Sequence, residues 1–114
     1  MSIKQKLNDL NTATKKEHDK ALSLENKDVV DRIAEERIRG RGFAYQSALM
    51  DIREKLYSRA VSESRCESTR EAYKEIRECV LSGESTLLDL AFFKGQAEGF
   101  ADVHALIEAE GETR

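Results

Sequence analysis

Few side chains in this sequence have types and spacing suited to chemistry. Cys66, Cys79, His18 and His104 are the candidate metal ligands or nucleophiles. None falls in a CxxC, HxxxH or HExxH arrangement, the spacings that converge on a tetrahedral zinc ion. A di-iron site in a helix bundle needs Glu-x-x-His on two helices. The residues three before His18 and His104 are Lys15 and Ala101, so that site is excluded. Glu75 and Glu78 form one Glu-x-x-Glu pair of the kind that holds Mg²⁺ in all-α nucleotide pyrophosphohydrolases. The second pair would have to be Glu98 and Asp102, spaced i,i+4, and acids at such spacings mostly line a solvated helix face. No serine lies in a G-x-S-x-G turn, and Arg39-Gly40-Arg41-Gly42 has neither the preceding strand nor the spacing of a phosphate loop. The sequence therefore predicts no enzyme, no metal and no cofactor.

One basic group remains. Arg32, Arg37, Arg39 and Arg41 lie close to Phe43 and Tyr45, a mixture able to contact phosphates and stack on bases. Lys15 and Lys16 in the first helix extend it. Asp31, Glu35 and Glu36 are interleaved, so ion pairing accounts for the same arginines.

The elements that would position these residues are helical. The 114-residue chain has no proline, and 36% of its residues are charged. Without proline, nothing in the sequence removes an amide donor from a helix interior. Net charge is -3, arranged as a mildly basic start and an acidic end, which is unlike a dedicated DNA binder. No apolar run reaches the roughly 18–20 residues of a membrane span. Two cysteines 13 residues apart form no disulfide framework, which suits a cytoplasmic chain.

Ile3, Leu7, Leu10, Thr14, Glu17 and Ala21 recur at spacings of three and four, so residues 1–24 read as a helical arm. Asp28 is placed to cap a long helix over 29–63. Ser68 or Thr69 would cap a short helix ending at Leu81, and Gly83 suits the left-handed position after it. Ser85 would cap a last helix over 86–110, with 111–114 as a tail. The expected fold is all-α: three long helices and one short one, with residues 28–110 forming a helical hairpin or bundle, in an oligomer. The start of the last helix, including Leu88, Phe92 and Phe93, is apolar on nearly every side and calls for cover from several directions.

A repeat runs through this pattern. Sliding the chain by 57 residues pairs Gly42-Phe43-Ala44 with Gly99-Phe100-Ala101, and Ala48-Leu49 with Ala105-Leu106. Duplication of a helical unit and convergence on one packing solution both account for it. Gly40, Ala44 and Ala48 form a row of small residues one turn apart, and Ala91, Gly95 and Gly99 form another. Such rows let two helix axes approach closely. Phe43 and Phe100 would flank the crossing, with Val103 and Leu106 continuing the apolar stripe.

The segment over residues 79–110, with Ser82-Gly83 followed by Phe93-Lys94-Gly95 and Gly99, resembles short helical-hairpin proteins encoded in tailed-bacteriophage genomes. The resemblance implies a non-enzymatic assembly role, as a minor virion or head–tail connector component. It implies a second copy or another structural protein as partner, and a location in the host cytoplasm or the virion. The alternative is a small nucleic-acid-binding or regulatory protein using the arginine cluster and the lysine-rich first helix.

Overall fold

The computed structural model describes residues 2–112. Four helices follow in order: α1 (Ile3–Leu22), α2 (Val29–Arg53), α3 (Arg59–Leu81) and α4 (Leu87–Glu112). No strand occurs among the described residues.

Local chemistry sets the helix ends. Ser2 accepts from the Gln5 amide, and Asp28 and Asp31 form a reciprocal capping box at the start of α2. Thr86 and Asp89 make the same exchange at the start of α4, so Thr86 is the cap there and not Ser85. α3 ends at Leu81, and Gly83 just beyond it takes φ +82° while the Glu84 amide closes back on the Cys79 carbonyl.

The chain departs from the expected helix lengths at residues 54–58. The helix expected over 29–63 ends at Arg53, and the expected short helix is α3, 23 residues long. Lys55 adopts φ 60°, and the Leu56 amide bonds the Asp51 carbonyl, a glycine-type helix ending made without glycine. Ser58 then caps α3 by accepting from Val61. Ser68 and Thr69 lie well inside α3, where the Thr69 hydroxyl donates back to the Arg65 carbonyl. At the far end α4 continues through Glu112, past the expected start of the tail; residues 113–114 lie outside the described part.

α2 and α4 form the centre and run in the same direction: Arg37 meets Gly95, Arg41 meets Gly99, and Tyr45 meets Asp102. α1 packs antiparallel on α2, pairing Thr14 with Gly42 and Glu17 with Arg41. α3 packs antiparallel on α4, pairing Ser62 with His104 and Cys66 with Phe100. α1 and α3 do not meet; they flank the central pair in a body of 46 × 32 × 24 Å. α4 packs along both α2 and α3 and also meets α1, whereas α2 reaches α3 through the Asp51–Arg65 pair.

The 57-residue echo is thus a structural repeat. Moving α1 and α2 by 57 residues lands them almost on α3 and α4. Tyr45 hydrogen-bonds Asp102, its own counterpart in the second half.

The α2–α4 contact is backbone against backbone. A Cβ added to Gly40 would collide with the Phe92 carbonyl oxygen, and one on Gly95 with the Arg37 carbonyl oxygen. At Gly99 it would stand 2.6 Å from the Ala44 Cβ and 3.0 Å from the Arg41 carbonyl oxygen. Gly42 differs: its nearest neighbour would be a Thr14 methyl at 3.7 Å, an ordinary contact.

Gly95→Ala is therefore expected to lower unfolding free energy by about 3 kcal/mol, because backbone cannot yield as a side chain does. Gly42→Ala, in the same type of helix interior, should raise it by up to about 1 kcal/mol. Urea denaturation followed by circular dichroism separates the two; equal effects of either sign would contradict the close crossing.

Candidate functional site

The small-residue positions read from the sequence converge. Gly40, Ala44 and Ala48 on α2 face Gly95 and Gly99 on α4, and all five are buried. Val103 joins Leu7, Tyr45 and Ala48 in the apolar core, with Leu10, Leu49, Ile52 and Tyr57 packed around it. Phe100 is buried beside the crossing, whereas Leu88, Phe92, Phe93 and Leu106 are half-buried. The rows therefore pack on one another within one chain, and a second molecule cannot reach them.

The arginine cluster is dispersed into ion pairs. Arg37 bonds Glu98 through two contacts of 2.7 Å, holding that carboxyl below the usual carboxylate range. Arg41 reaches Glu17 on α1, and Arg39 pairs with Glu36 while its guanidinium lies 4.5 Å over the Phe92 ring. Arg32, Lys15 and Lys16 are exposed and make no ion pair among the described residues.

Three features were not read from the sequence. The first lies at the end of the bundle that carries the 23–28 and 82–86 turns. The up-down-up-down path puts both turns at one end, because α2 and α4 start side by side. Leu22, Leu24, Val29, Val30, Leu81 and Leu87 are all there, each between 48% and 81% exposed. Leu24 and Leu81 are counterparts 57 residues apart, as are Val30 and Leu87. Isolated exposed aliphatics are ordinary, but six gathered at one end of a bundle are not. The pairing was visible in the sequence; the exposure was not.

The second is a chain of side chains between α3 and α4. Ser62 Oγ lies 3.1 Å from His104 Nδ1, and His104 Nε2 lies 3.1 Å from Glu108, which also binds Arg59. Ser, His and acid in line could be an activated nucleophile. Ser62, however, is only 5% exposed, so a substrate has no access to the hydroxyl. Glu63, His104 and Glu108 could also converge on a metal ion. The Arg59 guanidinium already sits against both carboxylates, a protein-supplied cation in that position. The nearby Cys66 thiol, which donates to the Phe100 carbonyl, has its pKa pushed up by burial, the opposite of a reactive thiolate.

The third is a groove of about 310 Å³ between α1, α2 and the start of α4. Lys15, His18 and Asp19 line it from α1, Arg39, Gly42 and Phe43 from α2, and Phe92 from α4.

The chain matches no known family model, no curated protein and no solved structure.

The link between the halves yields a pH prediction. Burial first, then the Asp102 carboxylate it donates to at 2.6 Å, pushes the Tyr45 phenol far above its ordinary value. In the unfolded chain this phenol ionises near pH 10, while in the folded chain it keeps its proton. Stability is thus fully present below about pH 10 and falls above it, by up to about 1.4 kcal/mol per pH unit from this group. Thermal melts from pH 8 to 11.5 should show the fall; Tyr45→Phe should lessen it, leaving the part due to Tyr57, whose phenol burial pushes up to about 12. An unchanged slope in that variant would mean that Tyr45 is not the group responsible.

Proposed function

We propose that this protein is a non-enzymatic assembly component that associates with a second copy through the aliphatic end of its bundle. The carrying observation is the patch of Leu22, Leu24, Val29, Val30, Leu81 and Leu87. A two-fold interface presents the same surface from both sides, so a second copy needs no apolar surface beyond this one. Burying one exposed leucine stabilises an interface by about 1.5–3 kcal/mol, so a few such residues set whether copies associate at micromolar concentration. The internal α2–α4 crossing holds the two halves of the patch in fixed relation.

The resemblance of residues 79–110 to phage-encoded helical hairpins is compatible with this reading. It gives the setting as a minor virion or head–tail connector component, made in the host cytoplasm, with another structural protein as a further partner. The enzyme alternative is disfavoured by the enclosed Ser62 and the raised Cys66 thiol. The arginine cluster as a broad nucleic-acid surface is disfavoured by the pairing of Arg37, Arg39 and Arg41.

The test is mass in solution by light scattering behind a sizing column, at low and high salt. The wild-type chain of 12.9 kDa is expected at a multiple of its monomer mass in both. Leu24→Lys with Leu81→Lys should return it to the monomer with helix content unchanged. A monomeric wild type, or an oligomer indifferent to both changes, would contradict the proposal.

A further inference from the structure

The groove between α1, α2 and the start of α4 brings together four features that nothing in the fold requires to coincide. It is a concave space of about 310 Å³, at the lower end of the range of small-ligand sites. Phe43 on its wall is 48% exposed although Phe92 packs edge-on to it at 5.9 Å, so part of the ring surface is open. Lys15 on α1 and Arg39 on α2 line it with positive charge; Asp19 lines it too, and Glu36 holds Arg39 in an exposed i,i+3 pair that a phosphate can displace. Lys15 has no ion-pair partner among the described residues. His18 also lines the groove, and its Nε2 is shut off from solvent with no hydrogen-bond partner. An atom with no surface open to solvent is out of a ligand's reach as well, so the His18 ring serves as wall.

We propose that this groove binds a single nucleotide, its base against the Phe43 ring and its phosphate held by Lys15 and Arg39, with the His18 ring as part of the wall. An aromatic wall accepts the flat face of any base, so the site selects for nucleotide and not for sequence. Gly42, whose Cα sits opposite Thr14, keeps the floor free of a side chain. The inference is independent of the assembly reading, because the groove lies along the helices and the aliphatic patch lies at their end. The nucleotide comes either free or as one residue of a single strand.

Amide chemical shifts of the ¹⁵N-labelled full chain distinguish the outcomes. They are followed on titration with adenosine 5′-monophosphate, adenosine, inorganic phosphate and octathymidylate. The monophosphate should saturate shifts at Thr14, His18, Gly42 and Phe43, with adenosine and phosphate each at least tenfold weaker. Phe43→Ala and Lys15→Glu should each weaken binding at least tenfold; both residues are exposed, so the fold is kept. Lys16→Glu, next to the groove but not lining it, should change affinity less than threefold. If octathymidylate binds at least tenfold more tightly through the same residues, the nucleotide is part of a strand; if it does not, the nucleotide is free. The absence of saturable binding by any probe would overturn the proposal. So would phosphate binding as tightly as the monophosphate, or affinity insensitive to Phe43→Ala and Lys15→Glu.

Discussion

The backbone of α2 touches the backbone of α4, and the rest of the molecule is arranged around that contact. Helix axes usually stand 8–10 Å apart because side chains keep them there. Here Gly40, Gly95 and Gly99 remove the spacers, and carbonyl groups of one helix occupy the space a Cβ would need on the other. In an up-down-up-down bundle, α2 and α4 are diagonal neighbours. Their collapse onto each other drives α1 and α3 apart to opposite flanks, where they have no contact.

The composition of the core follows. Beside a centre of glycine and alanine backbone, the large buried side chains are few: Leu7, Tyr45, Phe100 and Val103. Polar links join the helices where apolar bulk does not. Tyr45–Asp102 and Arg37–Glu98 connect α2 to α4, Asp51–Arg65 connects α2 to α3, Arg41–Glu17 connects α2 to α1, and Arg59–Glu108 connects α3 to α4. The exposed pairs among these, Arg37–Glu98, Arg41–Glu17 and Arg59–Glu108, contribute at most about 1 kcal/mol each, so they act more as registration than as cohesion. Large aliphatic residues that a thicker core would absorb stand instead at the turn end. The same geometric choice that thins the core therefore leaves an apolar surface outside.

Much of this was legible before any coordinates. Helix content followed from the missing proline and the three-four spacing, Asp28 from its position before an apolar run, and Gly83 from its place after one. The two small-residue rows were visible as rows, but sequence alone did not show that they face each other. That requires α2 and α4 to run parallel, a consequence of two intervening turns. The turn at residues 54–58 escaped because Lys55 takes a left-handed conformation usually left to glycine, and no breaker residue marks it. Ser62 and His104 escaped because they are 42 residues apart and only the α3–α4 packing aligns them. The exposed end escaped because an apolar side chain at a helix terminus reads the same whether it is covered or not.

The central claim is that the glycine rows cross within one chain. Nuclear Overhauser contacts from the Gly40 and Gly95 α-protons test it directly, measured in isotope-filtered mixtures of labelled and unlabelled protein. The account predicts contacts from Gly95 to Arg37 and from Gly40 to Phe92 and Gln96, present within a single chain. Contacts seen only between chains, or none between the two helices, would mean that the rows pack elsewhere and that the bundle is not organised around them.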